Sequence, residues 1–488
     1  MAVVRVKAKV VTDDTGIKTE LLVLLTDQGP VRLLIDYFRT RLHLSSSWQN
    51  QVLSSVKLMV EYLQANQYHL DDPELIFATF AARLYSGTIG DDGLDQSGLG
   101  WVPASLQSSA RHILALEGFL TFASRKIGKI SPYPLVQADS YDQMLNYAAW
   151  YWKNQENFLG HIEDKSVAAV IQQARIFRPR GRLSVLDSTI PTFPQSLFRK
   201  MYFDGFGGKR DPRCVIRDRL ILLLMDGGGA RESEALHLWL VDVQPDPANP
   251  KSAYVRLYHP EDGRAPDEHL RTGRKMKRAA YLRTKYGLMP RNRLNGSQRV
   301  GWKAKVVDHA DNYLHIFWFP PSIGELFMQL WQNHVRYMAP IKRHHPYAFI
   351  SYEASNFGEP YSLNALNANY EAALARIGMT PSKQEGRSTH GHRHAFSQRM
   401  KRAGLDPVVI RKALHQKSLA SQARYTKSTI SEVTQAMTDA LSRLEGTESA
   451  ARGKAEPHYN WDDFLRSGFE DIDPQGLLSG PHPTLRSH

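Results

Sequence analysis

The sequence predicts a mainly α-helical protein with a small antiparallel sheet, and three observations support this fold class. Most long segments repeat their apolar residues at the spacing of an amphipathic helix, whereas strand-like segments are few and short. Two of the strand-like segments, VVRVKAKVV and TELLVLLTD, lie near the N-terminus and are joined by the turn residues DDTG. The length of 488 residues exceeds what one core usually organises, so we expect two to three domains.

Changes in composition divide the chain into segments. The expected segments are a β-hairpin cap (residues 1–32), a helical domain (33–180), a larger second domain (195–445) and a flexible tail (446–488). The linker between the two domains is RPRGRLSVLDSTIPTFP, which holds three prolines and shows no period. The tail is rich in glycine, serine, proline and charged residues, and within it the segment WDDFL could dock locally.

Apolar spacing also predicts the elements inside the two domains. In the first domain we expect helices around residues 48–63, 73–86, 104–125 and 141–178. In the second we expect helices at 212–225, from Arg231 onward, and at 322–337, 363–377, 391–403, 407–415 and 430–445, with strands from Ala253 to Tyr258 and from Tyr313 to Phe319. A polar insertion at about 260–310 lies between the strands, and periodicity does not assign its structure.

Charge and cysteine content narrow the function classes. The formal net charge of +13 favours a polyanionic partner, either nucleic acid or an anionic membrane surface. No membrane span is expected, because the longest strongly apolar run, Leu220–Met225, is far shorter than the ~20 residues that a helix needs to cross a bilayer. The N-terminus alternates apolar and basic residues like a strand, unlike a signal peptide. With Cys214 as the only cysteine, an intramolecular disulfide is excluded and a cytoplasmic setting is expected.

The segment from Gly386 to Lys427 concentrates basic residues, with ten Lys and Arg against one Asp. It also contains four histidines, namely His390, His392, His394 and His415. Alternating histidines could bind a metal from a strand, but no Asp, Glu or Cys completes a hydrolytic metal site and Arg393 lies among them. We therefore expect no metal and no cofactor.

Arginines, histidines and a tyrosine suit metal-free chemistry on a phosphodiester. Guanidinium groups are always charged and can bind two phosphate oxygens at once, so they stabilise the additional negative charge of a pentacoordinate phosphorane. A tyrosine phenol can attack the phosphorus and conserve the bond energy as an ester. A histidine can accept the phenol proton, and a lysine can protonate the departing 5′ oxygen.

Three blocks of the sequence resemble the tyrosine recombinase (phage integrase) family. They are RDRLILLLMDGGGARESEALHLWLVDV (217–243), THGHRHAFSQRM (389–400) and ALHQKSLASQARYTK (413–427). The resemblance implies that Arg231 and Arg393 are the catalytic arginines, with Glu234 as the supporting acid of the first. It further implies catalytic roles for His390 and His415 and makes Tyr425 the nucleophile. Arg393 and Tyr425 are 32 residues apart, which is the usual family spacing.

The resemblance extends to the first domain. Residues 33–65 resemble the opening of the family's SAM-like core-binding domain. The implied architecture is thus an N-terminal helical SAM-like core-binding domain plus an α-rich tyrosine recombinase catalytic domain, which together clamp double-stranded DNA. In such an architecture, His392 and His394 are expected to be structural or to contact backbone phosphates.

The sequence departs from the family pattern in two places. His415 and Tyr425 are ten residues apart, one more than usual, and Leu414 replaces a glycine, so Gln416 is an alternative occupant of the position of His415. Arg231 and Arg393 are 162 residues apart, because of the 260–310 insertion. The insertion also obscures the catalytic lysine, for which Lys275, Lys277, Lys303 and Lys305 compete. We favour Lys303, since GWKAKVV leads towards the strand NYLHIFWFP, with Lys275 as the alternative.

The resemblance implies a site-specific recombinase or integrase of a mobile element or genomic island, acting through a 3′-phosphotyrosine intermediate. Family members act as tetramers on two DNA sites, sometimes with accessory proteins, in the cytoplasm at the nucleoid. The amphipathic helix 430–445 could dock on a neighbouring subunit, as in the family, or pack within its own chain. Two other interpretations stay open: a type IB topoisomerase-like or telomere-resolving enzyme, and a non-catalytic DNA-binding regulator.

Overall fold

The computed structural model of the chain divides into two compact units, Met1–Asp187 and Ser188–His488. It describes residues 3–11, 14, 18–66, 72–128, 131–133, 135–154, 172–175, 191–208, 211–266, 276–294, 296–416, 433–440 and 461–472, and every structural statement below concerns these residues. Helices dominate both units, and the described strands form small antiparallel sheets. The fold class predicted from the sequence is therefore confirmed.

The first unit begins with an antiparallel sheet that covers a group of helices. Its strands are β1 (Val4–Val11), β2 (Lys18–Thr26) and β3 (Gly29–Pro30). Strand β2 contributes four consecutive buried side chains, Leu21 to Leu24, to the core of this unit. The helices are α1 (Arg32–Arg39), α2 (Ser46–Ala65), α3 (Pro73–Ser86), α4 (Leu106–Ile127) and α5 (Ser140–Asn154).

One helix prediction for the first unit is wrong at its C-terminal end. Helical spacing predicts a helix over 141–178, but α5 ends at Asn154, and Gln173–Arg175 forms strand β5, which pairs with β4 (Leu135–Gln137). The side chain of Arg175 fixes this strand, because it donates to the carbonyl of Tyr133 at 2.6 Å and to Glu117 at 3.1 Å. These partners are distant in sequence, so local periodicity could not reveal them.

The second unit is built around a helix whose last ten residues are all buried. Its described elements before the insertion are α6 (Gln195–Lys200), α7 (Pro212–Asp226), α8 (Glu232–Ala235), β6 (Val243–Pro245) and β7 (Ala253–Tyr258). Helix α7 contributes ten consecutive buried residues, from Arg217 to Asp226. A helical segment that is buried on all sides lies at the centre of a core, and the remaining elements pack around it.

The later elements complete this unit. They are α9 (Arg278–Tyr281), β8 (Tyr313–His315), α10 (Ile323–Met338), α11 (Leu363–Arg376), α12 (Thr389–Arg402), α13 (Pro407–Ala413), α14 (433–440) and α15 (Trp461–Ile472). Strands β6, β7 and β8 form the antiparallel sheet in that order. Strand β8 is shorter than the strand predicted from Tyr313 to Phe319, because the residues that pair with β7 end at His315.

Two buried arginines hold the insertion between β7 and β8 against the core. Arg278 is 1% exposed, pairs with both carboxylate oxygens of Asp242 and lies 3.9 Å above the ring of Trp239. Arg291, also 1% exposed, donates to the backbone carbonyls of Leu236, Gln298 and Tyr361 at 2.8 to 3.1 Å. The described part of the insertion is therefore a folded part of the unit.

The expectation of a flexible tail over 446–488 is wrong for residues 461–472, which form helix α15. Trp461, Phe464, Leu465 and Phe469 lie on one face of this helix and are buried in the core of the second unit. The ring of Phe464 lies 5.2 Å from that of Phe198 and 5.0 Å from that of Tyr202. WDDFL does dock locally, because its apolar residues have helical spacing.

Helix α14 packs within its own chain. Its residues Val433, Met437 and Ala440 are buried in a cluster that includes Phe317 and Met400. The sequence left two roles open for this helix, docking on a neighbouring subunit or packing within its own chain. The buried contacts of α14 correspond to the second role. No described helix is long and apolar enough to cross a membrane.

Candidate active site

The site begins at a glycine turn between α7 and α8. Gly229 has φ +65°, and a Cβ at this position would lie 2.5 Å from the ring of Phe396. A side chain therefore fits neither the backbone conformation nor the space. The turn delivers Arg231 to the N-terminus of α8. There Glu234, which is 1% exposed, accepts from both the backbone N–H of Arg231 (2.9 Å) and its guanidinium (2.5 Å).

Arg393 connects the three sequence blocks. It lies on α12 and is 3% exposed, and its guanidinium donates to the carbonyl of Gly229 in the first block and to that of Leu414 in the third. Burial and the nearby charge of Arg231 lower the pKa of Arg393 to about 10. The two predicted catalytic arginines are thus electrostatic neighbours, as a site for a doubly contacted phosphate requires.

His390 faces the same concentration of positive charge. It is exposed at the start of α12, and its ring centroid lies 4.5 Å from that of His394. Partial desolvation, followed by the charges of His394, Arg393, Arg231 and Lys303, lowers the pKa of His390 to about 4. The imidazole is therefore neutral at neutral pH and can accept a proton.

The charge of Lys303 also acts on His390. Lys303 is exposed on a segment without helix or strand, residues 300–308, that we call the lysine strap. Val300 anchors one end of the strap, because it is fully buried and its N–H donates to the carbonyl of Arg291 at 3.1 Å. Asp308 anchors the other end, where its N–H donates to the carbonyl of Tyr313 at 2.9 Å.

The competing lysines have different surroundings. Lys277 forms an ion pair with Asp262 at 2.7 Å, and Lys305 is exposed on the strap. Lys275 lies outside the described residues. Lys303 is the candidate whose charge acts on His390, and this favours the choice made from the sequence.

His415 is buried next to an acid that the sequence did not single out. Its side chain is 3% exposed, and its Nε2 lies 2.8 Å from Oδ2 of Asp308. The residue has a left-handed backbone with φ +50°, whereas Leu414 uses its carbonyl to accept from Arg393. Gln416, the alternative to His415, is exposed.

The remaining predicted residues fall into two groups. Tyr425 lies outside the described residues, so the structure does not place it. His392 is fully enclosed, with Nδ1 2.6 Å from Asp226, Nε2 3.0 Å from the hydroxyl of Tyr370 and its ring stacked on Phe193 at 4.0 Å. Such a position is structural, in agreement with the expectation for His392.

Sequence reasoning missed three acids around the site. Asp226 binds His392 and Arg399 in the core, Glu232 accepts from the hydroxyl of Thr389 at 2.7 Å, and Asp308 contacts His415. Asp226 and Glu232 had a sequence signal, since both lie in the first block with Arg231, whereas Asp308 lies outside the three blocks. In the part of the chain that the structure describes, no three His, Cys, Asp or Glu side chains group as metal ligands.

The arrangement has the chemistry of a site for a phosphodiester. The charges of two guanidinium groups and an exposed ammonium act on a neutral imidazole, while Glu234 orients Arg231 from the protein side. Cations gathered this way repel one another, and an anion between them relieves this repulsion.

No family model matches the sequence, and no curated protein matches it. Among solved structures, the chain is similar to the XerH site-specific recombinase bound to difH substrate, with 13% identity, a TM-score of 0.38 and coverage of 78% of this chain and 71% of that one. For the Tn1549 transposon integrase in complex with circular intermediate DNA, the values are 14%, 0.38, 86% and 99%. For the integrase from mycobacterium phage Brujita they are 11%, 0.24, 89% and 96%. The chain is thus similar, at low identity and low TM-score, to structures named as recombinases and integrases.

Proposed function

We propose that the protein is a site-specific DNA recombinase of the tyrosine recombinase type, which cleaves and rejoins DNA strands through a 3′-phosphotyrosine intermediate at Tyr425. One observation carries the proposal: the guanidinium of Arg393 donates hydrogen bonds to the backbone carbonyls of Gly229 and Leu414. Three blocks that resemble one family in sequence therefore meet around a single side chain, although they are up to about 170 residues apart in the chain.

The arginines act on the phosphate. Arg231 and Arg393 bind the non-bridging oxygens of the scissile phosphate and stabilise the charge that develops in the phosphorane. Glu234 keeps the Arg231 guanidinium oriented, because its carboxylate accepts from both the side chain and the backbone of that residue. The low exposure of Arg393 strengthens its interaction with an anion, since little water competes.

Proton transfer accompanies each change of bond. The Tyr425 oxygen attacks the phosphorus, its proton passes to His390, and the bond to the 5′ oxygen breaks as Lys303 protonates that oxygen. A lowered pKa suits His390 to be neutral before the reaction, and the exposed position of Lys303 suits it to reach a bound strand. His415 assists at the phosphate. A 5′-hydroxyl from a partner strand then reverses the steps.

The partner of the reaction is double-stranded DNA. The net charge of +13 supports phosphate contacts along a duplex. We propose a homotetramer on two DNA sites, in the cytoplasm at the nucleoid, with the accessory proteins of a mobile element as further partners. Neither a metal nor a nucleotide is needed, since the phosphotyrosine conserves the energy of the broken bond.

A covalent capture experiment tests the proposal whatever the sequence of the DNA site. The probe is a pool of randomised duplexes, each with one nick, so that cleavage just upstream of the nick releases a short 5′-hydroxyl fragment and the adduct cannot religate. We expect wild-type protein to retain DNA after denaturation and Tyr425→Phe to retain none. Sequencing the retained DNA then identifies the site.

Two results would contradict the proposal. An adduct that persists in Tyr425→Phe would exclude Tyr425 as the nucleophile. No wild-type adduct under any salt condition that permits binding would favour the non-catalytic regulator. Strand exchange between two labelled duplexes carrying the captured site then separates a recombinase from a topoisomerase-like enzyme, which would religate without exchange.

A further inference from the structure

Asp308 is a buried carboxylate at the end of the lysine strap. Its side chain is 6% exposed, and its Oδ2 lies 2.8 Å from Nε2 of His415 and 2.8 Å from the backbone N–H of His315. Burial alone would raise the pKa of this carboxyl, but His415 and, to a smaller extent, His315 together outweigh burial, so the pKa lies below its ordinary value. Asp308 is therefore a carboxylate that depends on His415 for its charge balance.

His415 is held in one position by its backbone and by this acid. Its N–H donates to the carbonyl of Lys412 at 2.9 Å, and its φ of +50° places it in a tight left-handed turn. The preceding carbonyl, of Leu414, is the one that accepts from Arg393. His415 is therefore the residue next in the chain to the carbonyl that accepts from Arg393.

We propose that Asp308 is a positioning residue for His415, and this inference rests on the proposed function. An imidazole has two nitrogens, and Oδ2 of Asp308 lies 2.8 Å from Nε2, which leaves Nδ1 for a non-bridging oxygen of the scissile phosphate. Nδ1 can donate to that oxygen when it carries a proton. Asp308 itself does not touch the DNA.

Other charged groups face this pair. His315 lies beside Asp308, and Arg256 and Lys412 act electrostatically on His315. Burial lowers the pKa of His315 to about 3, so His315 is neutral and does not compete for the carboxylate charge. Asp308 is also not needed to attach the insertion, because Arg278 and Arg291 fix the insertion independently.

A double-mutant cycle tests the inference. The variants are Asp308→Asn, His415→Gln and the double variant, with Asp262→Asn as the matched control, because Asp262 lies on the same insertion but pairs with Lys277 at the exposed surface. The probe is the nicked duplex recovered by covalent capture with wild-type protein. The measured quantity is the single-turnover rate constant of adduct formation, which does not depend on the fraction of folded molecules.

We expect Asp308→Asn to slow adduct formation by about 10- to 100-fold, the usual effect of removing the carboxylate behind a functional histidine. In the His415→Gln background the same change should have no further effect, because its target is already absent. Asp262→Asn should match wild type. Asp308→Asn should change the affinity for the duplex, measured in the Tyr425→Phe background, by a smaller factor than it changes the rate constant of adduct formation.

Three results would overturn the inference while leaving the proposed function intact, since wild type forms the adduct in each. They are a wild-type rate for Asp308→Asn, multiplicative effects in the double variant, and rescue of Asp308→Asn by a 5′-phosphorothiolate substrate. The last result would mean that Asp308 acts on Lys303 through the strap, because a thiolate leaving group needs no proton. Failure of wild type to form any adduct would instead overturn the proposed function itself.

Discussion

At the scale of single residues, the balance of charge around Arg393 defines the site. Its guanidinium donates to two carbonyls and has Arg231 as a neighbour. The carboxylate of Glu234 is hydrogen-bonded to Arg231. Burying a charge beside a like charge costs free energy, which an incoming anion recovers. An anion of suitable size is therefore expected to bind at this position.

The lowered pKa of His390 leads to a pH-dependent prediction. A phosphate beside His390 offsets the neighbouring cations, so the pKa of the imidazole rises from about 4 on DNA binding and a proton is taken up. Affinity should therefore increase as the pH falls from the pKa of the bound state towards 4. Anisotropy titrations with a labelled duplex, in the Tyr425→Phe background, measure this slope.

The control for this prediction is the comparison of two variants. His390→Gln should reduce the slope, whereas Asp262→Asn should retain it. A slope that is unchanged in His390→Gln would show that other groups take up the proton.

Lys303 is expected to protonate the leaving 5′ oxygen. Lys303→Ala should slow adduct formation about 10²- to 10⁴-fold on an ordinary nicked duplex, the usual contribution of a general acid. A 5′-phosphorothiolate duplex should restore the rate, because sulfur leaves as a thiolate without a proton. Lys305→Ala, two residues along the same strap, serves as the control and should behave like wild type.

If Lys303→Ala stays slow on the sulfur substrate, Lys303 acts in some other way, for example by binding phosphate. If Lys277→Ala is slow on the ordinary duplex and the sulfur substrate restores its rate, Lys277 is the general acid.

At the scale of elements, helix α15 shows how a segment from the expected tail becomes part of the core. Phe464 is fully buried against Phe198 and Tyr202. Phe464→Ala should therefore lower the free energy of unfolding by about 3–5 kcal/mol, through lost burial and the cavity that remains. Chemical denaturation of the full chain measures this change.

Asp462→Ala, on the exposed face of the same helix, is the control and should alter the free energy of unfolding by no more than about 0.5 kcal/mol. Equal effects of the two substitutions would contradict the packing of α15 against the second unit.

At the scale of the whole molecule, the net charge of +13 predicts a steep dependence of DNA binding on salt. Contacts with about 6 to 10 phosphates would reduce affinity by roughly 10³- to 10⁵-fold between ~50 and ~200 mM salt, because each contact releases condensed counterions. Anisotropy with the Tyr425→Phe variant measures the slope, so cleavage does not interfere. Affinity that hardly changes with salt would exclude phosphate contacts as the main source of binding.

Local patterns predicted a large part of this organisation. The side chains of Ser45, Asp211 and Asp406 accept from backbone N–H groups at the starts of their helices, and the strand Ala253–Tyr258 has its predicted bounds. Helix signals of this kind act over a few residues, so a sequence reveals them directly. The strand at 173–175 was missed, and α15 was anticipated only as local docking of WDDFL, because distant partners decide both structures.

The sequence by itself determined the fold class and the identities and order of the residues in the three blocks, because helical periodicity and motif spacing are properties of the chain. Only the tertiary structure decided that Arg393 joins these blocks, that the strap brings the charge of Lys303 to His390, and that Asp308 contacts His415. Asp308 and His415 are separated by 107 residues. Hydrogen bonds and charges act through space, so contacts of this kind arise only when the chain has folded.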